Sequence, residues 1–383
     1  MPYKNCISVE DYRWRAQRAL PGPIYDYLAG GADDEWSVGN NRSAFHRYEL
    51  MPEYLRDISD IDMQTKVLGA EVVAPIILAP TGMSRLFHHE KEIGVARAAG
   101  NAGLMYSLST MGTTSIEDIA GITPGAKMFQ IYIHKDRSLT EGFVDRAKAA
   151  GYAALCLTVD TPLAGNRERD RRSGFEMPPR LKFGSLFSFV THPRWAFNLL
   201  RNSDFQLANL TGHRDVLGAG AVGVIDYVNS QFDRSVTWDD VAHIIDRWGG
   251  PFAIKGLQSA ADAARAADIG ASAVMISNHG GRQLDFAPAP IDCVAPMRDK
   301  IGDTLELVVD GGVRRGTDIL KALALGANAV SVGRPYLYAL AAGGQCGVQQ
   351  YLTSMKDELA RDMALLGVRN ISEIAGRHCR KHQ

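Results

Sequence analysis

The chain has little of what would mark a disulfide scaffold, a zinc protein, a nucleic-acid binder or a membrane-spanning protein. Its five cysteines, Cys6, Cys156, Cys293, Cys346 and Cys379, are scattered, odd in number and never spaced C-x-x-C. That pattern excludes a disulfide framework or a zinc site and points to a reducing compartment. Charge of one sign is lacking: 42 Lys and Arg against 43 Asp and Glu leave a formal charge of -1. No basic footprint for nucleic acid results, and none is expected as a partner. Long hydrophobic runs are missing too. The longest charge-free stretch, Pro335 to Met355, is broken by Gly343, Gly344, Gln345, Gln349 and Gln350, which is too polar to span a bilayer. The first residues, MPYKNCISVEDYRWRAQRAL, contain no apolar segment of the kind a secretory signal needs. The expectation is a protein that is soluble or rests on a membrane surface.

What is present suits a compact α/β enzyme: 46% hydrophobic residues and 38 glycines in 383 positions. A short apolar run, a turn and an amphipathic segment recur along the chain. The candidate strands are Pro75–Ala79, Leu104–Ser107, Met128–Tyr132, Ala154–Val159, Phe252–Lys255, Ala273–Ser277, Leu305–Val309 and Ala329–Val332. Near-continuous apolar strands belong to sheets covered on both faces. Between them, segments such as GVARAAGNAG and GTDILKALALG close on a glycine suited to a left-handed helix cap. Eight such units predict a single TIM (β/α)8 barrel, with one domain over 1–383 and a barrel core over about 70–345. A helical prefix (VEDYRWRAQRAL, then PIYDYLAGGADD) precedes the barrel and either plugs its bottom or reaches its rim.

The spacing breaks once, in a long insertion after strand four, over about 168–250. Its middle, PPRLKFGSLFSFVTHPRWAFNLLR, is apolar and aromatic and carries Arg180, Lys182, Arg194 and Arg201. Apolar insertion and attraction to anionic lipid would let it rest on a membrane. An active-site lid or an oligomer contact competes on equal terms.

Barrel active sites lie at the C-terminal ends of the strands. There the chain places Thr81-Gly82, Gln130 and Tyr132, Thr158 and Asp160, Lys255, and the run Ser277-Asn278-His279-Gly280-Gly281-Arg282. His279, beside a glycine pair that admits a ligand closely, is the candidate general base. Asp160 either orients His279, as a triad carboxylate does, or caps a turn before Pro162. Lys255 is either a Schiff-base nucleophile or a fixed positive charge. Asp310–Gly316 (DGGVRRG) and Gly333–Pro335 end strands seven and eight, where barrels bind phosphate; Arg314 and Arg334 add charge there. A phosphorylated cofactor or substrate is expected. Gly218, Gly220 and Gly223 match G-x-G-x-x-G but follow no strand, so a nicotinamide-binding reading is rejected. His88, His89 and Glu90 are read as a helix-surface cluster whose side chains diverge, with no third ligand and no metal expected.

Taken in order, PIYDYLAGGA, APTGM, FQIY, LTVDTP, IKG, SNHGGRQLD, DGGVRRGTDILKALALGA and VGRP resemble the FMN-dependent L-2-hydroxy acid dehydrogenases and oxidases nearly end to end. THPRWAFNLL and FDRSVTWDDV look most like the bacterial membrane-associated L-lactate dehydrogenases. The resemblance implies that His279 takes a proton from substrate and that Asp160 holds the resulting imidazolium. It implies that Arg167 and Arg282 clamp the substrate carboxylate while Tyr27 and Tyr132 donate to its oxygens. Lys255 would neutralise the reduced FMN, which favours the fixed-charge alternative. The flavin ring would lie against Pro80, Thr81 and Gly82 and be bonded by Ser109, Gln130, Thr158 and Ser277. Its ribityl and phosphate would meet Asp310, Gly311, Gly312, Arg314, Gly333 and Arg334. Hydride and carbanion routes use the same residues.

Glycolate oxidases resemble this pattern with Ala at position 82 and Trp at position 111; Gly82 and Met111 stand here. Both are read as opening space above the flavin, which implies a substrate side chain larger than glycolate's hydrogen. Gly82 further favours a quinone over dioxygen as acceptor. The family resemblance implies a homotetramer, and the expected location is the cytoplasmic face of the inner membrane, held peripherally through the insertion. The alternatives are a mandelate or longer-chain 2-hydroxy acid enzyme using dioxygen and, outside the class, a Schiff-base barrel lyase.

Overall fold

The computed structural model describes residues 2–174, 183–201, 206–210 and 232–382. Eight parallel strands close into a barrel: β1 (Ile76–Thr81), β2 (Met105–Ser109), β3 (Lys127–Ile131), β4 (Ala154–Thr158), β5 (Phe252–Lys255), β6 (Ala273–Ser277), β7 (Glu306–Asp310) and β8 (Ala329–Val332). Closure is made by β8 pairing with β1, Val330 opposite Ile76 and Val332 opposite Leu78. All five residues of β2, β3, β4 and β6 are buried, as expected of strands with helices outside and packed side chains inside. The eight apolar runs thus become the eight strands, although β1 starts one residue later than Pro75 and runs through Pro80 to Thr81. A proline is tolerated there because pairing with β2 is already irregular between Leu78 and Thr81.

The glycine caps form where the pattern places them. Gly103 ends Lys91–Ala102 at φ 68°, and Gly326 follows Gly316–Ala324 at φ 105°. The charge-poor stretch Pro335 to Met355 lies within the helix Arg334–Leu366, which breaks at Gly343 and Gly344. Among the described residues no helix is long and apolar enough to cross a membrane.

Of the two alternatives for the prefix, the structure selects the rim. Its helices Gly22–Ala29 and Trp36–Ser43 bring Tyr27, Leu28, Val38 and Asn41 to the C-terminal mouth of the barrel. The opposite end is filled by a hairpin, Thr65–Val67 with Ala70–Val72. Its turn residues Leu68 and Gly69 both have positive φ, 48° and 75°, the geometry of a two-residue hairpin turn. Val67, Leu68 and Val72 pack with Ile77, Met105, Met128 and Met275 from inside the barrel. The Leu68 N–H donates to both oxygens of Glu306, at 3.1 and 2.9 Å.

Within the insertion, Phe183–Val190 and Pro193–Arg201 are helical, and Trp238–Trp248 takes the place of the fourth barrel helix. Arg180, Lys182, Gly218, Gly220 and Gly223 lie outside the described residues. The two short helices dock on the mouth side. The Gly22 N–H donates to Ser188 Oγ at 2.8 Å, Trp195 Nε1 donates to the Leu86 carbonyl at 2.8 Å, and Arg85 donates to the Asn198 carbonyl at 2.9 Å. Phe187, Val190 and Phe197 point outward and are exposed.

His88, His89 and Glu90 correct their reading. They stand in the turn before helix Lys91–Ala102, not on its surface, and the two rings lie 4.3 Å apart at 32° instead of diverging. A turn is free of the 100° rotation that separates neighbours on a helix. Among the described residues no group of three His, Cys, Asp or Glu could hold a metal ion.

Leu68 is 1% exposed, so Leu68→Ala leaves a cavity under the barrel and should cost about 2–5 kcal/mol. Urea unfolding measures the loss.

Candidate active site

A cavity of about 640 Å³ opens at the C-terminal mouth. It is lined by Tyr27, Pro80, Thr81, Gly82, Ser109, Tyr132, Arg167, Lys255, His279 and Arg282, and continues along Asp310, Gly311, Gly312, Arg314, Gly333 and Arg334. Four other sequence-predicted residues stand off it. Asp160 lies behind His279, Gln130 behind Ser109, and Ser277 between Lys255 and Asp310. Thr158 lines a smaller side cavity.

His279 Nδ1 lies 2.8 Å from Asp160 Oδ1. An ionised carboxylate only accepts, so Nδ1 carries the proton of this contact, and in the neutral ring the lone pair lies on Nε2. Burial pushes the Asp160 carboxyl up, but the charges of His279 and Lys255 and the hydrogen bond from His279 more than offset it and hold it below the ordinary range. The orienting role is thus preferred over a turn cap by the geometry. His279 itself sits at φ 56°, a left-handed conformation that side chains rarely adopt and that is often found at functional sites.

Beneath it lies a buried network. Lys255 Nζ is 2.8 Å from Asp310 Oδ2 and donates to Ser277 Oγ at 3.0 Å, and Ser277 Oγ donates to the same carboxylate at 2.8 Å. Burial opposes the Lys255 ammonium, yet Asp310 and Asp160 raise its pKa above the ordinary lysine value. Burial likewise opposes the Asp310 carboxylate, which Lys255 holds below its ordinary range. A Schiff-base lysine has to shed its proton; this one is held charged.

Two further guanidinium groups are satisfied by backbone carbonyls alone in the described contacts. Arg282 donates to Tyr27 and Gly30 at 2.7 and 2.9 Å, and Arg334 to Gly280 and Gly30 at 2.7 Å each. Burial, then the neighbouring Arg282, pulls Arg334 down to about 10. Arg167 and Arg282 both lie over the Tyr27 ring, 5.3 and 5.0 Å from its centroid. Arg167 pairs with the buried Asp170 at 3.3 Å, yet with Arg282 beside it positive charge is in excess at Tyr27; that place and the one beside Arg314 and Arg334 ask for anions. At the second place glycine is required: a Cβ on Gly312 would stand 1.8 Å from the Asn41 carbonyl oxygen. The donor set fits a phosphate at one end and a small carboxylate at the other.

Three contributors were missed in the sequence. Asn41 and Asn278 exchange two side-chain hydrogen bonds of 2.7 Å, tying the prefix to the His279 turn. Asp285 accepts from the Trp36 and Ser37 N–H groups at 3.2 and 2.8 Å. Phe232, returning from the insertion, sets its ring edge-on to Tyr132 at 5.0 Å. No local pattern announces these contacts, which join residues more than two hundred positions apart in the first two cases and a hundred apart in the third. Gly82 also reads differently in place: its Cβ would lie 2.8 Å from Met111 Cβ, so the missing methyl lets the ends of β1 and β2 approach.

The family described as FMN-dependent dehydrogenase matches residues 16–381 of this chain. The chain belongs to the FMN-dependent dehydrogenase family. It is similar to the L-lactate oxidase of Nostoc sp., 40% identical over 372 residues that cover 96% of either chain. It is similar also to the glycolate oxidase of Spinacia oleracea, 41% identical over 371 residues, 97% of this chain and 95% of that one. A solved structure, that of the monotopic membrane protein (S)-mandelate dehydrogenase, superposes with a TM-score of 0.94 at 38% identity, over 99% of this chain and 100% of that one. This member of the FMN-dependent dehydrogenases is therefore an FMN-dependent 2-hydroxy acid oxidoreductase on a TIM barrel. The Schiff-base lyase is set aside.

Lys255→Met would leave Asp310 buried without its counter-charge, at a cost of about 3–5 kcal/mol. Alone in that site the carboxyl is driven above its unfolded value, so folding stability is lost as pH rises through the folded pKa. Chemical denaturation on either side of neutrality should show the larger loss at alkaline pH, and Asp310→Asn in the same chain should remove that pH dependence.

Proposed function

We propose that the protein oxidises L-lactate, or a closely related small L-2-hydroxy acid, to the 2-oxo acid and passes the electrons to a quinone-type acceptor. The observation that carries this reading is the convergence of the His279–Asp160 pair with Arg167, Arg282, Tyr27 and Tyr132 in one cavity that runs on to the glycine and arginine turns. FMN, when bound, supplies the two-electron acceptor for the α-carbon.

The chain's own residues do the rest. Arg167 and Arg282 hold the substrate carboxylate and so fix which face of the α-carbon is presented. Tyr27 and Tyr132 donate to its oxygens. His279 Nε2 takes the hydroxyl proton, and Asp160 stabilises the imidazolium that forms. Lys255 would supply fixed positive charge to the cofactor, and Pro80, Thr81, Gly82 and Ser109 would hold its ring. Gln130, Thr158 and Ser277 support these residues from behind. Asp310, Gly311, Gly312, Arg314, Gly333 and Arg334 hold the ribityl and phosphate groups.

The L-lactate oxidase relative and the absence of a tryptophan at position 111 support a substrate with a methyl side chain. A second reading, an aryl 2-hydroxy acid such as mandelate, is supported by the likeness to the mandelate dehydrogenase. For the membrane, the exposed Phe187, Val190 and Phe197, with Arg194 and Arg201 on the second of the two helices, support a peripheral anchor beside the cavity mouth. A lipid-soluble quinone would then meet the mouth directly, at the cytoplasmic face of the inner membrane. Assembly as a homotetramer belongs to the same proposal, and exposed apolar pairs such as Trp36 and Phe286 offer contact surface for it.

Anaerobic L-lactate should bleach the yellow holoenzyme and D-lactate should leave it coloured; bleaching by neither lactate nor mandelate would sink the reading. His279→Gln should keep its flavin and lose about 10²–10⁴-fold in turnover, measured by stopped-flow reduction. Deleting residues 183–201 should abolish sedimentation with anionic-lipid vesicles and spare dye-linked activity; unchanged sedimentation would defeat the anchor.

A further inference from the structure

Beside the main cavity lies a second one of about 230 Å³, between β3, β4 and β5 and the helix Trp238–Trp248. Leu157, Val159, Val241, Ile254 and Leu257 give it an aliphatic side, and three threonines, Asp233 and Arg234 also border it. The two cavities share three residues, Tyr132, Thr161 and Phe232. Tyr132 stands at the substrate end of the main cavity, so the partition is where a substrate side chain would meet the wall.

Phe232 is fixed in that partition from several sides. Its backbone bridges to His134, and its ring lies nearly parallel to the His134 ring, centroids 6.3 Å apart at 15°. Burial holds the His134 imidazole down to about 4, so Phe232 packs on a neutral face. The next residue, Asp233, pairs with Arg137 at 2.7 Å, and Arg137 in turn donates to the His134 carbonyl at 2.6 Å. A ring this well restrained is a wall and not a passing contact.

We propose that Phe232 is the residue that limits substrate chain length, by closing off an apolar chamber suited to the tail of a longer 2-hydroxy acid. The chamber exceeds the roughly 150 Å³ that accommodates a benzene ring in an aliphatic cavity. Its aliphatic side matches an alkyl chain, while of its charged lining residues Asp233 is held by Arg137 and Arg234 is exposed. The inference rests on the 2-hydroxy acid reading of the main site and adds to it the determinant of substrate size.

The test compares Phe232→Ala with the wild-type holoenzyme on L-lactate and L-2-hydroxyoctanoate. The ratio of kcat/KM for the long acid to that for the short one should rise by about 10–200-fold, the range one or more methylenes are worth in an apolar pocket. Leu257→Phe added to that variant refills the chamber from its opposite wall and should cancel the gain. An unchanged ratio in a flavin-loaded variant, or a gain that survives Leu257→Phe, overturns the proposal. If Phe232→Ala loses its flavin, Phe232→Leu takes its place with the same two outcomes in smaller measure. Calorimetric binding of octanoate and acetate to the same holoenzymes gives a readout free of turnover: octanoate affinity should rise in the variant while acetate affinity does not. Failure of the wild type to oxidise any 2-hydroxy acid would strike the underlying reading instead, and octanoate binding would still decide the role of Phe232.

Discussion

The turn that carries His279 is held in left-handed backbone from outside the barrel. Ordinary side chains avoid φ near 56°, and such a residue persists only where its surroundings over-determine it. Here the surroundings are the prefix. Asn41 grips Asn278, the Ala32 N–H donates to the Gly281 carbonyl at 2.9 Å, and Asp285 receives two N–H groups from the start of helix Trp36–Ser43. The same Asn41 presents its carbonyl to Gly312 at a distance that admits no side chain. One residue of the prefix thereby sets the imidazole turn and the phosphate turn relative to each other.

Charge is the second organising constraint. Lys255 and Asp310 satisfy one another through a short buried contact, while Arg282 and Arg334 lean on carbonyl groups and repel each other. Dipoles are poor compensation for buried cations, and Asp170, the carboxylate near Arg282, is shared with Arg167. The mouth is consequently under electrostatic tension that an anionic cofactor and an anionic substrate relieve together.

Most of the barrel was legible from eight apolar runs, because strands covered on both faces have no polar side to show. The rim residues were legible because polar groups at the ends of such runs have no role in the core. Thr158 shows the limit of that argument. It ends β4 as expected but lines the side cavity and not the main one, a neighbourhood that its place at a strand end does not announce. Asn41, Asp285 and Phe232 were illegible for another reason. An asparagine in a helical prefix and a phenylalanine after a long insertion acquire meaning only from partners far along the chain, and spacing carries no trace of them. The His88–His89 pair failed because a turn was read as the first coil of a helix.

The hairpin around Leu68 and Gly69 also shapes the route of entry. With its side chains filling the lower end of the barrel, the described residues leave the cavity open toward the other end, so that cofactor and 2-hydroxy acid would enter from the same side.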